Sequence, residues 1–224
     1  MACLIRRLTE PNMTTGVDYS RKTSILFFLV GIMSITLSKQ SITALSTSPF
    51  PSSPLLSLVR NSSIKLVLLD RDGVINVDVG TPGVVDPSQL RLTDRAATAI
   101  GTLQRQGHCR VVLITNQSCV GKGLITLDEL DRIHNQLQEK LLAEDSDARW
   151  DTVYACCTTK SVPDPRRKPR PGMILEACAE WGVDPADCVM IGDTLNDLRA
   201  AAAAGVSRRI LVSTGECACV HLCR

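Results

Sequence analysis

Residues 64–69 read IKLVLL, a nearly unbroken apolar run that stops at Asp70-Arg71-Asp72-Gly73. A strand wet on one face alternates apolar and polar side chains; a run without alternation predicts a strand buried on both faces, as in parallel sheets covered by helices. The pattern returns. RVVLI at 110–114 leads into Thr115-Asn116-Gln117-Ser118, 152–157 is a third strand, 188–191 a fourth ending in Gly192-Asp193, and 209–212 a fifth. Between them lie helical stretches. Residues 94–106 carry Ala97, Ile100 and Leu103 at helical spacing, with Thr93 as cap and Gly107 as stop. A capping box, Thr126 to Glu129, opens a helix to about residue 143. Residues 172–181 form another, and an alanine-rich helix over 194–204 stops at Gly205. Strand–helix alternation of this kind predicts an α/β, Rossmann-like doubly wound parallel sheet. Such sheets bind ligands at the carboxyl ends of their strands.

The N-terminal part reads differently. From Tyr19 to Leu69 there is no acidic residue; Arg21-Lys22 precede an apolar segment at 25–37, and a Ser/Thr-rich tract follows. A basic flank and an apolar run short of the ~20 residues of a membrane span suit a signal sequence. The acid-poor tract behind it suits a transit peptide. Residues 1–63 are therefore expected to be a targeting extension outside the fold, for an organelle such as a plastid. The alternatives are a signal anchor or a cytoplasmic protein. The fold itself is expected over 64–212, with 213–224 an irregular tail.

Charge supports this division. The formal net charge is +2, but six basic and two acidic side chains lie in 1–63, leaving 19 basic against 21 acidic beyond. A faintly acidic body argues against nucleic-acid binding. So does the scarcity of aromatics there, Trp150, Tyr154 and Trp181, too few for base stacking. Most of the ten cysteines sit in apolar runs, where a free thiol acts as a small hydrophobe, so reduced thiols are expected.

Four strand ends concentrate polar chemistry. Asp70 and Asp72 follow the first strand, with Gly73 permitting a turn that lets two carboxylates converge. Thr115, Asn116, Gln117 and Ser118 follow the second; Arg166-Arg167-Lys168-Pro169 lie in the loop after the third; Asp193 ends the fourth, with Asp197 one helical turn on. Each alone reads as turn or capping chemistry. Together they read otherwise, because clustered carboxylates repel unless a cation sits among them. Carboxylates suit Mg²⁺, while Lys and Thr suit phosphate.

DRDG at 70–73, TNQS at 115–118, RKPRPGM at 167–173 and GDTLNDLRAAAAAG at 192–205 resemble the four motifs of the haloacid dehalogenase superfamily of phosphatases. The likeness spans most of the body and is greatest to its heptose 1,7-bisphosphate 7-phosphatase group, with the histidinol-phosphate phosphatases as sister. No segment is long enough for a cap domain, so a capless member is implied. The resemblance implies a Mg²⁺-dependent phosphomonoester hydrolase working on a small sugar (bis)phosphate through an aspartyl-phosphate. Asp70 would be the nucleophile and Asp72 the acid and base, the latter partly protonated while Asp70 stays ionised. Thr115 and Lys168 would bind the transferring phosphoryl group. Asp70, the backbone carbonyl of Asp72, and Asp193 would hold the metal. Arg71, Asn116, Gln117, Ser118 and Arg167 would contact substrate, Asn116 and Gln117 alternatively positioning Asp72. For Asp197, support of Asp193 and simple capping stand level.

Two departures stand out. Members of this group often carry a Cys-x-His … Cys-x-Cys zinc loop before RKP, but after Cys156-Cys157 this chain has no histidine and no second cysteine pair before Lys168. Zinc is not expected there. The lysine usual after the last-motif aspartate is Thr194 here. Cys217, Cys219, His221 and Cys223 resemble a metal cluster on paper, yet read better as a frayed tail. A monomer without nucleic-acid partner or stable membrane span is expected. The competing readings are a receiver domain, disfavoured because Asp72 follows Asp70 directly, and a non-catalytic relative that binds phosphorylated ligands.

Overall fold

In the computed structural model, the described residues are 64–212 and the two-residue strand Leu222–Cys223. Residues 1–63, expected to be a targeting extension, and most of the cysteine-rich tail lie outside them. All four residues of β1 (Leu66–Leu69) are buried. The strand runs parallel to β2 (Arg110–Asn116) on one side and β4 (Cys188–Gly192) on the other. Outside these lie β3 (Thr152–Cys156) and β5 (Arg208–Leu211), also parallel, giving the order β3-β2-β1-β4-β5-β6. The edge strand β6 (Leu222–Cys223) pairs antiparallel with β5, so the tail expected to be irregular includes one short strand.

The absence of alternation in IKLVLL has a direct cause. Val67 and Leu69 join Val111, Leu113, Val189 and Ile191 in one apolar layer, while Leu66 and Leu68 join Val112, Ile114 and Met190 in another. The first layer is covered by α1 (Ala96–Gln106) and α3 (Leu127–Glu144), which contribute Ile100, Leu103, Ile133 and Leu137. The second is covered by α4 (Gly172–Trp181) and α5 (Leu195–Ala204), through Ile174, Ala177, Ala200 and Ala201. A one-turn helix, α2 (Ser118–Gly121), follows β2 directly. Each fully buried aliphatic side chain contributes roughly 1.5–3 kcal/mol, so both faces of β1 must stay apolar.

Most boundaries agree with the pattern to within one or two residues. Thr126 and Glu129 form the expected box: the Glu129 N–H donates to Thr126 Oγ1 (3.2 Å) and the Thr126 N–H to Glu129 Oε2 (2.7 Å). Thr93, however, does not cap α1. Its hydroxyl donates to the carbonyl of Val74 (2.6 Å), tying down the loop after β1. The residue before the helix is Arg95, in a left-handed conformation (φ 61°) with no side-chain cap. Cys109, Cys119, Cys156, Cys157, Cys178 and Cys188 are free thiols. Among the described residues, no helix is long and apolar enough to cross a membrane.

Register positions the chemistry. Leu69 lies level with Leu113 of β2 and Ile191 of β4. The residues that follow each strand therefore emerge along one edge of the sheet, the carboxyl edge.

Candidate active site

Asp70 leaves β1 with its N–H still donating to the Ile191 carbonyl (3.0 Å), and its Oδ1 accepts from the Arg71 N–H (2.7 Å). The chain then turns sharply: the amides of Ile75 and Asn76 both donate to the Arg71 carbonyl. Gly73 is required twice over. Its φ of +80° is strained for other residues, and a β-carbon there would collide with the Asp193 carboxylate. The turn is thus packed directly on the residue that ends β4.

Lys168 reaches into this cluster from the loop after β3. It is almost fully buried, and Nζ donates to the Ile114 carbonyl (2.7 Å) while pairing with Asp70 Oδ1 (2.8 Å) and Asp197 Oδ1 (2.6 Å). Burial alone would lower its pKa, but the Asp197 and Asp70 carboxylates more than offset that and hold it above the ordinary lysine value. Asp197 is wholly buried. Its second oxygen accepts from the Thr194 N–H (3.0 Å) and hydroxyl (2.7 Å). Burial works against its charge, yet Lys168 and Thr194 keep its pKa below the carboxylate norm. Asp197 thus caps its helix through one oxygen, and its other oxygen faces the Lys168 ammonium rather than Asp193.

Asp72 is caged. Arg71 Nη2 donates to both its oxygens (3.0 and 2.9 Å), Asn76 Nδ2 to Oδ1 (2.8 Å) and Gln117 Nε2 to Oδ2 (2.9 Å). Two substrate-contact expectations are corrected here. Arg71 is completely buried behind Asp72, with Nη1 against Nε2 of the buried His134 (3.3 Å), and does not line the cleft. The buried Gln117 bridges Asp72 and Thr115 Oγ1 (2.9 Å), so it positions them and does not reach into the cleft. Burial, then the Arg71 charge, push His134 down to about 4, leaving a neutral ring that accepts from Arg71.

Asn116 does line the cleft, but its amide is occupied: Nδ2 donates to the Lys168 carbonyl (3.1 Å) and Oδ1 accepts from the Lys168 N–H (3.1 Å). It thereby locks the lysine loop to the end of β2. Thr115 and Ser118 also face the cleft, as does Arg167, whose Nη1 donates to the Thr158 carbonyl (2.5 Å). This cleft of about 610 Å³ is bounded by Asp70, Asp72 and Asp193, and by the cations Lys122, Lys160 and Arg167. A smaller apolar void under β1 has no polar lining and no part in this chemistry.

The carboxylates are crowded. Burial, then Asp197, raise Asp70 well above its normal pKa, although Lys168 opposes them. Burial and Asp197 push Asp193 up to about 7. For Asp72, burial is outweighed by the Arg71 charge and by hydrogen bonds from Asn76, Arg71 and Gln117, so its pKa is lowered. These directions run opposite to the expected order, in which Asp72 is the readily protonated partner: Asp72 is held low while Asp70 and Asp193 are raised. The reason is that Arg71 sits on Asp72, while three acids share one ammonium around Asp70. Oxygens of Asp70, Asp193 and Asp197 lie within 4.8 Å of one another, and Asp193 Oδ1 is buried without a donor. Hard oxygen donors, surplus negative charge and an unpartnered carboxylate oxygen fit a divalent cation such as Mg²⁺. Since Asp197 is satisfied by Lys168 and Thr194, Asp70 and Asp193 are the carboxylates left for it.

Asn76 and His134 escaped the sequence reading. Asn76 stands four residues after Asp72, and His134 belongs to the buried stripe Leu130, Ile133, Leu137 of α3. That stripe signals burial but not a partner.

A parallel α/β sheet with a buried aspartate at its first strand end, a lysine paired with it and a second acidic strand end beside it is an arrangement suited to phosphoryl chemistry. Comparison with known proteins is specific. The model for haloacid dehalogenase-like hydrolases matches residues 83–205. The D-glycero-beta-D-manno-heptose-1,7-bisphosphate 7-phosphatase of Haemophilus influenzae is 32% identical over 158 residues, 68% of this chain and 83% of that protein. That of Vibrio cholerae is 37% identical over 158 residues, covering 67% and 82%. Among solved structures, D,D-heptose 1,7-bisphosphate phosphatase from B. bronchiseptica, complexed with magnesium and phosphate, superposes with TM-score 0.59 at 34% identity, covering 63% of this chain and 76% of that one. A HAD-like phosphatase from Mesorhizobium loti gives 0.60 at 33%, covering 66% and 72%. The chain belongs to the haloacid dehalogenase-like hydrolase family, and within it is a phosphoric monoester hydrolase.

Proposed function

We propose that the protein removes one phosphate from a small sugar bisphosphate, most nearly as a heptose 1,7-bisphosphate 7-phosphatase, with Mg²⁺ and an Asp70 aspartyl-phosphate. The observation that carries this reading is the grouping of Asp70, Lys168 and Asp193, a held carboxylate with an ammonium on one side and, on the other, an acid with one buried oxygen lacking a donor.

Asp70 attacks phosphorus through a carboxylate oxygen, forming an O–P bond as the bond to the sugar oxygen breaks. Asp72 gives its proton to the leaving alkoxide, then takes one from the water that attacks the aspartyl-phosphate and regenerates Asp70. A bound phosphate dianion raises the pKa of Asp72 by like-charge repulsion, working against the Arg71 cage and readying it as an acid. Arg71, Asn76 and Gln117 fix where that proton is delivered. Lys168 and the Thr115 hydroxyl hold phosphoryl oxygens as charge shifts in the transition state. For Lys168 this requires a donor now spent on Asp70. Asp70, the Asp72 carbonyl and Asp193 would ligate Mg²⁺, which when bound neutralises charge between nucleophile and phosphate. Ser118, Asn116 and Arg167 border the rest of the substrate, Asn116 chiefly through the lysine loop.

Residues 1–63 act on this reading as a cleavable targeting extension to an organelle such as a plastid, the body spans 64–212, and the enzyme works as a monomer. The test is Mg²⁺-dependent phosphate release from heptose 1,7-bisphosphate and from histidinol phosphate. Preference for the first supports the proposal, preference for the second transfers the assignment to the sister activity, and binding without turnover of any phosphomonoester marks a non-catalytic relative.

A further inference from the structure

The loop from Cys157 to Arg167 brings Thr159, Lys160, Ser161 and Arg167 to the cleft, and its two ends are clamped by close backbone approaches. At the start, a β-carbon on Gly121 would collide with the Cys157 carbonyl, so α2 sits directly on the loop. At the finish, the Gly172 N–H donates to the Pro165 carbonyl (2.9 Å), where a β-carbon would likewise collide. Neither clamp ties the two limbs of the loop to each other.

Asp164 does. Its Oδ2 accepts from the Thr158 hydroxyl (3.0 Å) and the Cys156 thiol (3.5 Å), and its Oδ1 from the Arg166 N–H (2.8 Å). Cys156 Sγ and Thr158 Oγ1 also touch (3.1 Å). The Asp164 carbonyl accepts from the Arg167 N–H (3.2 Å) and from Arg170 Nη1 (3.0 Å). Arg167 closes the ring by donating from Nη1 to the Thr158 carbonyl. One residue therefore fastens the end of β3, the near limb of the loop and the far limb that bears Arg167 and Lys168. Donation from the Arg166 N–H, against slight burial, keeps the Asp164 carboxyl below its usual pKa, so the acceptor is ionised at neutral pH.

We propose that Asp164 is a positioning residue for substrate recognition: a carboxylate hub of hydrogen bonds shapes the 157–167 loop without metal and sets Arg167 against the part of the substrate remote from the scissile phosphate. The inference rests on the phosphatase reading for its kinetic consequence but not for its structural one. Asp164 forms no hydrogen bond with Asp70, Asp72, Thr115, Lys168 or Asp193, and Lys168 is held separately by Asn116, the Ile114 carbonyl, Asp70 and Asp197, so the chemical step should survive the loss of Asp164 while binding of a large substrate suffers.

The test uses the full chain carrying Asp164→Ala, Asp164→Asn or Thr158→Val, with melting temperature as the folding control. Asp164→Ala is expected to raise KM for heptose 1,7-bisphosphate about tenfold with kcat little changed, and to leave p-nitrophenyl phosphate kinetics as they were, since that ester has no remote group to orient. Asp164→Asn keeps an acceptor oxygen and restores part of the loss, and amide hydrogen exchange over 158–167 rises in Asp164→Ala and, to a lesser degree, in Thr158→Val. Three results would overturn the proposal: unchanged exchange in Asp164→Ala, an equal fall in kcat for both substrates, or one zinc per chain whose chelation reproduces the Asp164→Ala behaviour. If the wild type turns over neither ester, the functional reading fails, and exchange together with zinc content still decides the hub.

Discussion

Lys168 Nζ lies 2.6 Å from Asp197 Oδ1, closer than the 2.8 Å to the Asp70 oxygen it also pairs with. Asp197, on the first turn of α5, is thus the fixed anchor of the lysine. Asp70 shares it. The anchor keeps the ammonium charged in a buried place and beside Asp70.

Asp197→Ala should accordingly do more damage than loss of a helix cap. Leaving Lys168 buried with one carboxylate fewer costs about 3–5 kcal/mol by analogy with broken buried pairs, against about 1 kcal/mol for a cap. Urea titration distinguishes these. Asp197→Asn keeps a Thr194 acceptor and should fold better than Asp197→Ala, yet lose kcat as the lysine is left without its anchor.

Asp72→Asn should lower kcat by about 10²–10⁴-fold, the usual worth of general acid–base catalysis. The loss should be smallest on esters with good leaving groups, which need no proton. Comparing p-nitrophenyl phosphate with an alkyl phosphate measures it.

Arg71→Met removes the charge that keeps Asp72 low and the fork that orients it. Asp72 should then titrate at higher pH. In kcat/KM against pH, the limb set by this carboxyl should move upward from the wild-type position, with a lower maximum because the proton is less well aimed. A profile unchanged in shape would assign Arg71 to packing alone.

Asp193 gives a pH prediction whose sign is fixed. Its folded pKa, about 7 without a cation, exceeds the unfolded 3.8. The stability tied to its proton is full below about 4 and is lost as pH rises through 7. The cation-free protein should therefore lose melting temperature over that interval relative to Asp193→Asn, which has no carboxyl to ionise. Mg²⁺, binding the ionised form, should restore the loss in the wild type and not in the variant, and its apparent affinity should fall as pH drops below 7.

Much of this was legible in the residues. IKLVLL, RVVLI and CVMI announced strands buried on both faces because burial forbids alternation, and each polar residue just past them reached one edge because parallel strands in register end together. Side-chain direction was not legible. Arg71 stands between two site aspartates in sequence, but the tight turn over Gly73 sends it inward behind Asp72, which spacing cannot reveal. The long-range partners were also hidden: Asp197 and Lys168 lie 29 positions apart, and only folding decided whether a first-turn aspartate would cap, pair, or do both. Thr93 looked like a cap because threonine before a helix usually is one, yet a carbonyl in the preceding loop claimed its hydroxyl.

The most direct test of the account is acid-quench mass spectrometry of the enzyme during turnover of a sugar bisphosphate with Mg²⁺. The account predicts a phosphoryl adduct on the peptide containing Asp70, formed and lost at rates consistent with kcat, and neither adduct nor turnover in Asp70→Asn. Full turnover by Asp70→Asn, or an adduct on another residue, would contradict it.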